Sequence, residues 1–137
     1  MDCTFVPNDH FLICRTAVAD YTSPKYSEHK IKKSDDLDLA LVRTTDILAY
    51  LGQHRNEKQF LVGFAAETEN IVKNARTKLL QKQVDLIVAN DLKFAGQASN
   101  EISIVAAETE TKFAGDKFEI SHKILDTIMR NKREANE

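Results

Sequence analysis

Residues 59–91 are QFLVGFAAETENIVKNARTKLLQKQVDLIVAND, and this stretch decides the fold. It begins and ends with short apolar runs, which are typical of strands buried on both faces of a parallel sheet. Between the two runs, apolar residues recur at the spacing of one helix face: Ile71, Val72, Ala75 and Leu79. We therefore expect a strand over 59–65, a helix over 69–82 and a strand over 85–89.

Weaker signals on both sides extend this alternation. We further expect strands over 10–14, 37–43, 101–106 and 111–118. One helix is expected from Thr44 or Thr45 to Gln53, with Asp46 in its first turn, and a final helix is expected to be capped by Ser121. The low apolar content of 22–36 predicts a flexible flap, and 131–137 is expected to fray. Together these patterns indicate a single α/β domain over 1–137, with a mostly parallel sheet, flanking helices and an antiparallel strand pair near the C-terminus.

The composition excludes several classes of partner. Of the 137 residues, 42% are apolar and 29% are charged, and the net charge of -2 provides no general attraction for nucleic acid or an anionic membrane. No apolar run approaches the roughly 20 residues that span a bilayer, and residues 1–8 do not resemble a signal peptide, so we expect a cytoplasmic protein. The two cysteines and four histidines lack the spacing of metal ligands, so the metal ligands stay unknown.

The candidate site follows from the position of ligands in open α/β sheets, which bind beyond the carboxyl ends of the strands. The segments expected at these ends are 17–21, 44–48, 63–68 and 89–91. The chain has only four glycines and no Gly-rich phosphate cradle. If the protein is a nucleotide enzyme, part of its site is therefore contributed from elsewhere.

Three features allow both a structural and a functional interpretation. The basic cluster 30–33 is either a solvated loop surface or a flap that brings ammonium groups to a phosphate and a developing oxyanion. Phe64 either packs in the core or stacks on a base. Glu67 is either a helix-terminal charge or a group that orients a ligand.

Two lysines on the central helix form a fourth ambiguous feature. Lys78 and Lys82 stand at i, i+4, where like charges repel by a few tenths of a kcal/mol unless an anion lies between them. A triphosphate would reverse the sign of this interaction, and neutralising either lysine should then leave the free protein equally or slightly more stable. The alternative is a pair of exposed lysines relieved by nearby Asp85.

The order of the segments is more specific than any one of them. The segments are AVADY at 17–21, KIKK at 30–33, TDIL at 45–48, VGFAAETEN at 62–70, ARTKLLQK at 75–82, LIVAND at 86–91 and KILDTI at 123–128. This succession resembles the ligase half of the bacterial DNA/pantothenate metabolism flavoprotein family over about residues 9–130. The resemblance implies a Rossmann-like fold and the activity of a phosphopantothenate-cysteine ligase of coenzyme A synthesis.

The resemblance also implies the ligands and the residues that bind them. In the family reaction, CTP and Mg²⁺ activate 4'-phosphopantothenate as an acyl-cytidylate, and the amine of cysteine then displaces CMP; ATP is a possible replacement for CTP. Lys30 matches the catalytic flap lysine. The nucleotide-binding positions implied by the match are Asp20, Thr45, Asp46, Ile47, Leu48, Phe64, Lys78 and Lys82.

The chain departs from the family pattern in three places. Arg15 stands where the family has a small residue, and Thr45 stands where it commonly has proline. The family's Gly-rich opening and its Asn-containing segment precede the point where this chain begins. We therefore expect the chain to be inactive alone and to need a separate chain or segment that supplies the missing part. The resemblance also implies a homodimer, for which strands 37–43 and 101–118 are candidate pairing sites. The alternative is a non-catalytic nucleotide-binding or dimerisation module that kept the fold; a flavin-binding decarboxylase half is disfavoured.

Overall fold

The structure is a computed structural model, which describes residues 3–5, 12–14, 19–24, 29, 38–94, 96–97 and 99–134. The chain divides into two compact units, 1–47 and 48–137, a division that the prediction of one domain did not include. No helix within the described ranges has the length and apolar character needed to cross a membrane.

The described part of the first unit consists of two short antiparallel pairs. Strand β1 (Cys3–Phe5) pairs with β2 (Leu12–Cys14), and β3 (Tyr21–Thr22) pairs with β4 (Val42–Arg43). The expected strand over 10–14 is thus confirmed for its last three residues. The expected strand over 37–43 is wrong for residues 38–41, where the alternating leucines are exposed to solvent and do not cover a core.

The second unit contains the central sheet. Its elements are α1 (Ile47–His54, whose first residue belongs to the first unit), β5 (Val62–Glu67), α2 (Ile71–Lys82), β6 (Leu86–Asp91), a short 3-10 helix (Leu92–Phe94), β7 (Asn100–Val105), β8 (Glu110–Gly115) and α3 (Lys117–Glu134). Among the described strands, the sheet order is β5-β6-β7-β8.

Strand directions confirm the α/β class but correct the prediction of a mostly parallel sheet. The β5 and β6 strands are parallel, and α2 forms the crossover between them. The β6-β7 and β7-β8 pairs are antiparallel, the second being the predicted C-terminal pair. The cause is the connection after β6, because residues 92–99 are too few for the crossover of a dozen or more residues that a parallel strand requires.

Each face of the sheet carries one apolar cluster. Helix α2 covers the first face, where its buried Ala75 and Leu79 pack with Ile87, Ala89 and Val105. This confirms the predicted apolar stripe. Helix α3 covers the opposite face, where the cluster comprises Leu86, Val88, Ile102, Ile104 and Ile120.

The helix boundaries correct several expectations about capping. Asp46 precedes α1, which has no acidic residue in its first turn. Helix α3 begins four residues before Ser121, so Ser121 lies inside the helix. Asp116 occupies the cap: its Oδ1 accepts the backbone N–H of Glu119, and the Oε2 of Glu119 accepts the backbone N–H of Asp116. The helix extends to Glu134, four residues into the segment expected to fray.

Candidate functional site

The carboxyl ends of β5 and β6 lie side by side at one edge of the sheet. In the parallel register, Ala66 is opposite Asn90 and Glu67 is opposite Asp91. The pairing brings the predicted segments 63–68 and 89–91 together. Both segments therefore face the region where open α/β sheets bind ligands.

Phe64 is exposed on the α3-covered face of β5. Its neighbour in register, Val88, is buried, whereas 72% of Phe64 remains accessible to solvent. Core packing of Phe64, one of the two interpretations of the sequence, is therefore wrong. The exposed ring can offer a flat apolar surface to a ligand.

Lys78 reaches the same sheet edge from α2. Its Nζ donates a hydrogen bond to Oε1 of Glu67 at 2.6 Å, and Nδ2 of Asn74 donates to Oε2 at 2.9 Å. The hydrogen bond from Lys78 lowers the pKa of Glu67 below its ordinary value; burial opposes this shift, and the Asn74 amide and the positive charge of Lys78 add to it. The carboxylate thus stays charged and holds the ammonium at the end of β5.

The remaining predicted residues of the second unit are Lys82 and Leu48, which lie in different surroundings. Lys82 is the last residue of α2 and is half-buried. Leu48 packs on the α2-covered cluster, and a Cβ added to Gly63 would lie 2.7 Å from its Cδ2. Gly63 therefore marks a close approach of Leu48 to the sheet. Asp85, expected to relieve the lysines, forms an ion pair with Arg55.

Four of the predicted residues that the structure describes belong to the first unit: Asp20, Thr45, Asp46 and Ile47. The pKa of Arg43 is raised above its ordinary value, mainly by the hydrogen bond with Tyr21. Asp20 and Asp46 also raise it electrostatically, so both carboxylates lie near the Arg43 guanidinium. Thr44 links the residues before β3 to the residue after β4, since its N–H donates to the carbonyl of Asp20 and its Oγ1 donates to the carbonyl of Ala19. Thr44 therefore links backbone segments and does not cap α1.

Lys30 and Arg15 lie outside the described residues, as does most of the flap 22–36. Within the described ranges, no group of three His, Cys, Asp or Glu side chains could hold a metal ion.

Two residues of this edge were not selected from the sequence. Asn74 was missed, and Asn90 was noted only as part of a strand-end segment. The Oδ1 of Asn90 is shielded from solvent and has no hydrogen-bond partner in the described structure. Its position at a strand end was visible in the sequence, but its lack of a partner depends on tertiary packing.

Two surface cavities lie elsewhere on the second unit. One, of about 220 Å³, is lined by residues that include Arg55, Phe60 and Lys132 near the amino-terminal end of β5. The other, of about 400 Å³, lies between β8 and α3 and includes Phe113 and Phe118. Neither is lined by a predicted site residue. We place the candidate site at the carboxyl edge because the Glu67–Lys78 pair lies at the end of β5, beside the segment 89–91.

Comparison with known proteins agrees with the resemblance noted in the sequence. The sequence model of the DNA/pantothenate metabolism flavoprotein C-terminal domain matches residues 3–131. The chain therefore belongs to this family. A relative from Bacillus subtilis (strain 168), the coenzyme A biosynthesis bifunctional protein CoaBC, is 40% identical over an alignment of 133 residues that covers 92% of this chain and 32% of the relative. The chain thus spans about a third of that protein's length.

Solved structures give the same assignment of fold. The C-terminal domain of a coenzyme A biosynthesis bifunctional protein CoaBC superposes with a TM-score of 0.67 at 31% identity, covering 87% of this chain and 53% of that one. A Cab2 variant in complex with phosphopantothenate-cysteine superposes with a TM-score of 0.70 at 19% identity, covering 87% of this chain and 42% of that one. The second likeness supports the Rossmann-like fold alone.

Proposed function

We propose that the chain is the C-terminal part of a phosphopantothenate-cysteine ligase that acts in coenzyme A biosynthesis and binds CTP. Membership of the family and the similarity to CoaBC proteins support this proposal. The observation that carries it is the arrangement on β5, where the exposed ring of Phe64 lies on the α3-covered face and the ammonium of Lys78 is held at the end of the strand from the α2-covered face. An aromatic ring suits a base, and an ammonium suits a phosphate.

The proposed reaction has two steps. A carboxylate oxygen of 4'-phosphopantothenate attacks the α-phosphorus of CTP, and pyrophosphate leaves. The amine of cysteine then attacks the acyl carbon, and CMP leaves as the amide forms. Such a reaction depends mainly on positioning and on stabilising negative charge.

Individual residues would contribute to these steps as follows. Lys78 and Lys82 hold the phosphates, Phe64 supports the base, and Lys30 stabilises the negative charge that develops during activation. Asp20 and the start of α1 contribute further nucleotide contacts. Mg²⁺ would arrive on the triphosphate as part of the substrate, because magnesium commonly binds through phosphates and water.

Titration calorimetry with CTP and Mg²⁺ tests the nucleotide site directly. The chain should bind CTP, and Phe64→Ala should weaken binding by about 1–3 kcal/mol, the worth of one stacked base. Phe118→Ala is the matched control, since Phe118 is similarly exposed, at 73%, but lies on α3 and not on β5. Equal losses for the two variants, or no binding of CTP or ATP to the unaltered chain, would overturn the proposal.

A turnover assay separates the enzyme from a non-catalytic nucleotide-binding or dimerisation module. Because the chain spans about a third of the CoaBC relative, we expect no cysteine-dependent release of pyrophosphate from the chain alone. Addition of the remaining ligase segment should restore activity. If the chain together with the remaining segment folds and binds CTP but shows no turnover, the result would favour the non-catalytic module.

The proposed enzyme is a homodimer. Among the described strands, β8 is an edge of the sheet and could pair with another subunit. The exposed side chains of β8 include those of Glu110 and Lys112. Light scattering of the purified chain would measure the mass, and a monomer at all concentrations would contradict this part of the proposal.

A further inference from the structure

Helix α3 has a second apolar face, which is exposed to solvent. This outer stripe consists of Phe118, His122, Leu125 and Met129, of which the three apolar members are 73%, 57% and 44% exposed. At 100° per residue, the four side chains fall within an arc of about 60°. Ile120 and Ile124 lie on the opposite side of the helix and pack on the sheet. A surface helix normally carries polar residues opposite its core face, so packing within the domain does not account for the outer stripe.

The outer stripe has the spacing of a seam between two helices. Its members are separated by four, three and four residues, as are the apolar positions of a coiled coil. The ring centroids of Phe118 and His122 are 4.2 Å apart, so the imidazole continues the apolar surface between Phe118 and Leu125. A continuous exposed surface of this kind marks an interaction site, and its seam spacing indicates that the partner is a helix.

The distribution of charge along α3 indicates which helix fits the outer stripe. Residues 116–119 carry two acidic side chains and one basic side chain, whereas residues 130–134 carry three basic side chains and one acidic side chain. A second α3 that ran antiparallel would bring the acidic start of each helix to the basic end of the other. Its helix dipole would also oppose the first one favourably. A parallel copy would bring like charges together.

We propose that two copies of this chain associate through the outer stripes of their α3 helices, packed antiparallel about a two-fold axis between residues 123 and 124. Phe118 of one copy then packs on Met129 of the other, which is a favourable contact of an aromatic ring with sulfur. His122 packs on Leu125 in the same way, and both contacts occur twice, as a two-fold interface requires. The inference does not rest on nucleotide binding, and this surface is separate from the edge of β8.

The cavity between β8 and α3 adjoins the outer stripe and suits the basic end of a second helix. It has a volume of about 400 Å³, and its lining includes Phe118, Glu119 and Asp126. The antiparallel register sets Arg130 of the second copy about 3 Å along the helix axis from the level of Glu119. A guanidinium there can pair with a carboxylate and stack on an aromatic ring. The register thus brings a basic side chain to an acidic and aromatic cavity.

Analytical ultracentrifugation tests whether the outer stripe joins two copies. We expect the unaltered chain to dimerise reversibly, and Leu125→Glu and Met129→Glu each to raise the dissociation constant at least about tenfold, because a carboxylate would enter an apolar contact. Leu80→Glu is the matched control, since Leu80 is 68% exposed but lies on α2, and it should dimerise like the unaltered chain. Thermal melting of dilute samples checks that the variants fold.

Cross-linking tests the antiparallel arrangement with the outer stripe intact. In the proposed dimer, the two copies of position 121 are about 8 Å apart along the helix axis, and the two copies of position 133 are about 28 Å apart. A short thiol-reactive cross-linker should therefore join two Ser121→Cys chains but not two Arg133→Cys chains. Peptide mass spectrometry distinguishes these links from links at Cys3 and Cys14. Links between two copies of position 133, or none between two copies of position 121, would overturn the inference.

The remaining outcomes separate this inference from the proposed function. A monomer at every concentration, or a dimer that both stripe variants form as well as the unaltered chain does, overturns the pairing of α3 and leaves CTP binding intact. A one-to-one complex with the remaining ligase segment that Leu125→Glu abolishes would assign the outer stripe to that segment and also overturn the inference. A chain that dimerises through α3 but binds no nucleotide would contradict the proposed function alone.

Discussion

The Nζ of Lys78 lies 2.6 Å from Oε1 of Glu67, which joins the third turn of α2 to the last residue of β5. The carboxylate side chain is 11% exposed and the lysine side chain 40% exposed, so the pair is partly screened by solvent. The ion pair also changes the stability expected from the i, i+4 spacing of Lys78 and Lys82. The repulsion expected between the two lysines is offset at Lys78 by an attraction that the spacing within α2 could not predict.

The lowered pKa of Glu67 makes this contact sensitive to acid. A carboxyl group whose pKa is lower in the folded state stabilises the fold above its unfolded pKa, and the contribution is lost as the pH falls through the folded pKa. We expect Glu67→Gln to lower the free energy of unfolding by about 0.5–1 kcal/mol at pH 7, and by less as the pH falls below about 4. Urea unfolding across this range measures the difference, and Glu69→Gln, at an exposed position, should show no comparable trend.

Removal of the Lys78 charge should affect both stability and binding. Lys78→Gln breaks the pair with Glu67, so we expect a loss of about 0.5–1 kcal/mol of stability. This replaces the equal or higher stability that the helix spacing indicated. CTP binding should weaken by about 1–3 kcal/mol because a charge-assisted hydrogen bond to phosphate is lost.

A double-mutant cycle separates the two effects of Lys78. In the Glu67→Gln background, Lys78→Gln should cost little further stability, whereas its effect on CTP should persist. Lys82→Gln should weaken CTP by a similar amount. Unchanged CTP affinity in both lysine variants would remove α2 from the proposed nucleotide site.

Asp85 connects the start of β6 to the start of β5. Its Oδ2 accepts hydrogen bonds from Arg55 and from the backbone N–H of Leu61, and the N–H groups of Asp85 and Leu86 donate to the carbonyl of Leu61. Asp85→Ala leaves the N–H of Leu61 without its acceptor, so we expect a loss of about 1–3 kcal/mol. Arg55→Met should cost only about 0.2–1 kcal/mol, because it removes the ion pair alone. Chemical denaturation of the two variants tests this order, and equal losses would contradict it.

Gly52 marks a close approach between α1 and the end of α2. A Cβ at this position would lie 1.8 Å from the carbonyl oxygen of Lys82, which is backbone and must shift to make room. Alanine is the better helix former by about 1 kcal/mol, but overpacking costs about 1–3 kcal/mol or more. We therefore expect Gly52→Ala to lower the Tm by several degrees, whereas Gln53→Ala, one residue further along the same helix and exposed, should change it little. A higher Tm for Gly52→Ala would contradict the close packing.

Sequence patterns predicted the elements that depend on local periodicity. The apolar stripe of α2 and the strands at β5, β6, β7 and β8 appear near the expected positions because side chains repeat every 3.6 residues in a helix and every two in a strand. The family succession added the candidate residues Phe64, Lys78 and Lys82. These features belong to short segments, so neighbouring residues were sufficient to indicate them.

Contacts between segments were decided only by the tertiary structure. The antiparallel direction of β7 follows from the short connection after β6. The exposure of Phe64, the pairing of Lys78 with Glu67 and the unpaired oxygen of Asn90 each depend on strand register and on which part of a sheet face a helix covers. Periodicity indicates which side of an element is apolar, but it contains no information on which residue of another element will lie opposite, and hydrogen bonding and charge pairing depend on that geometry.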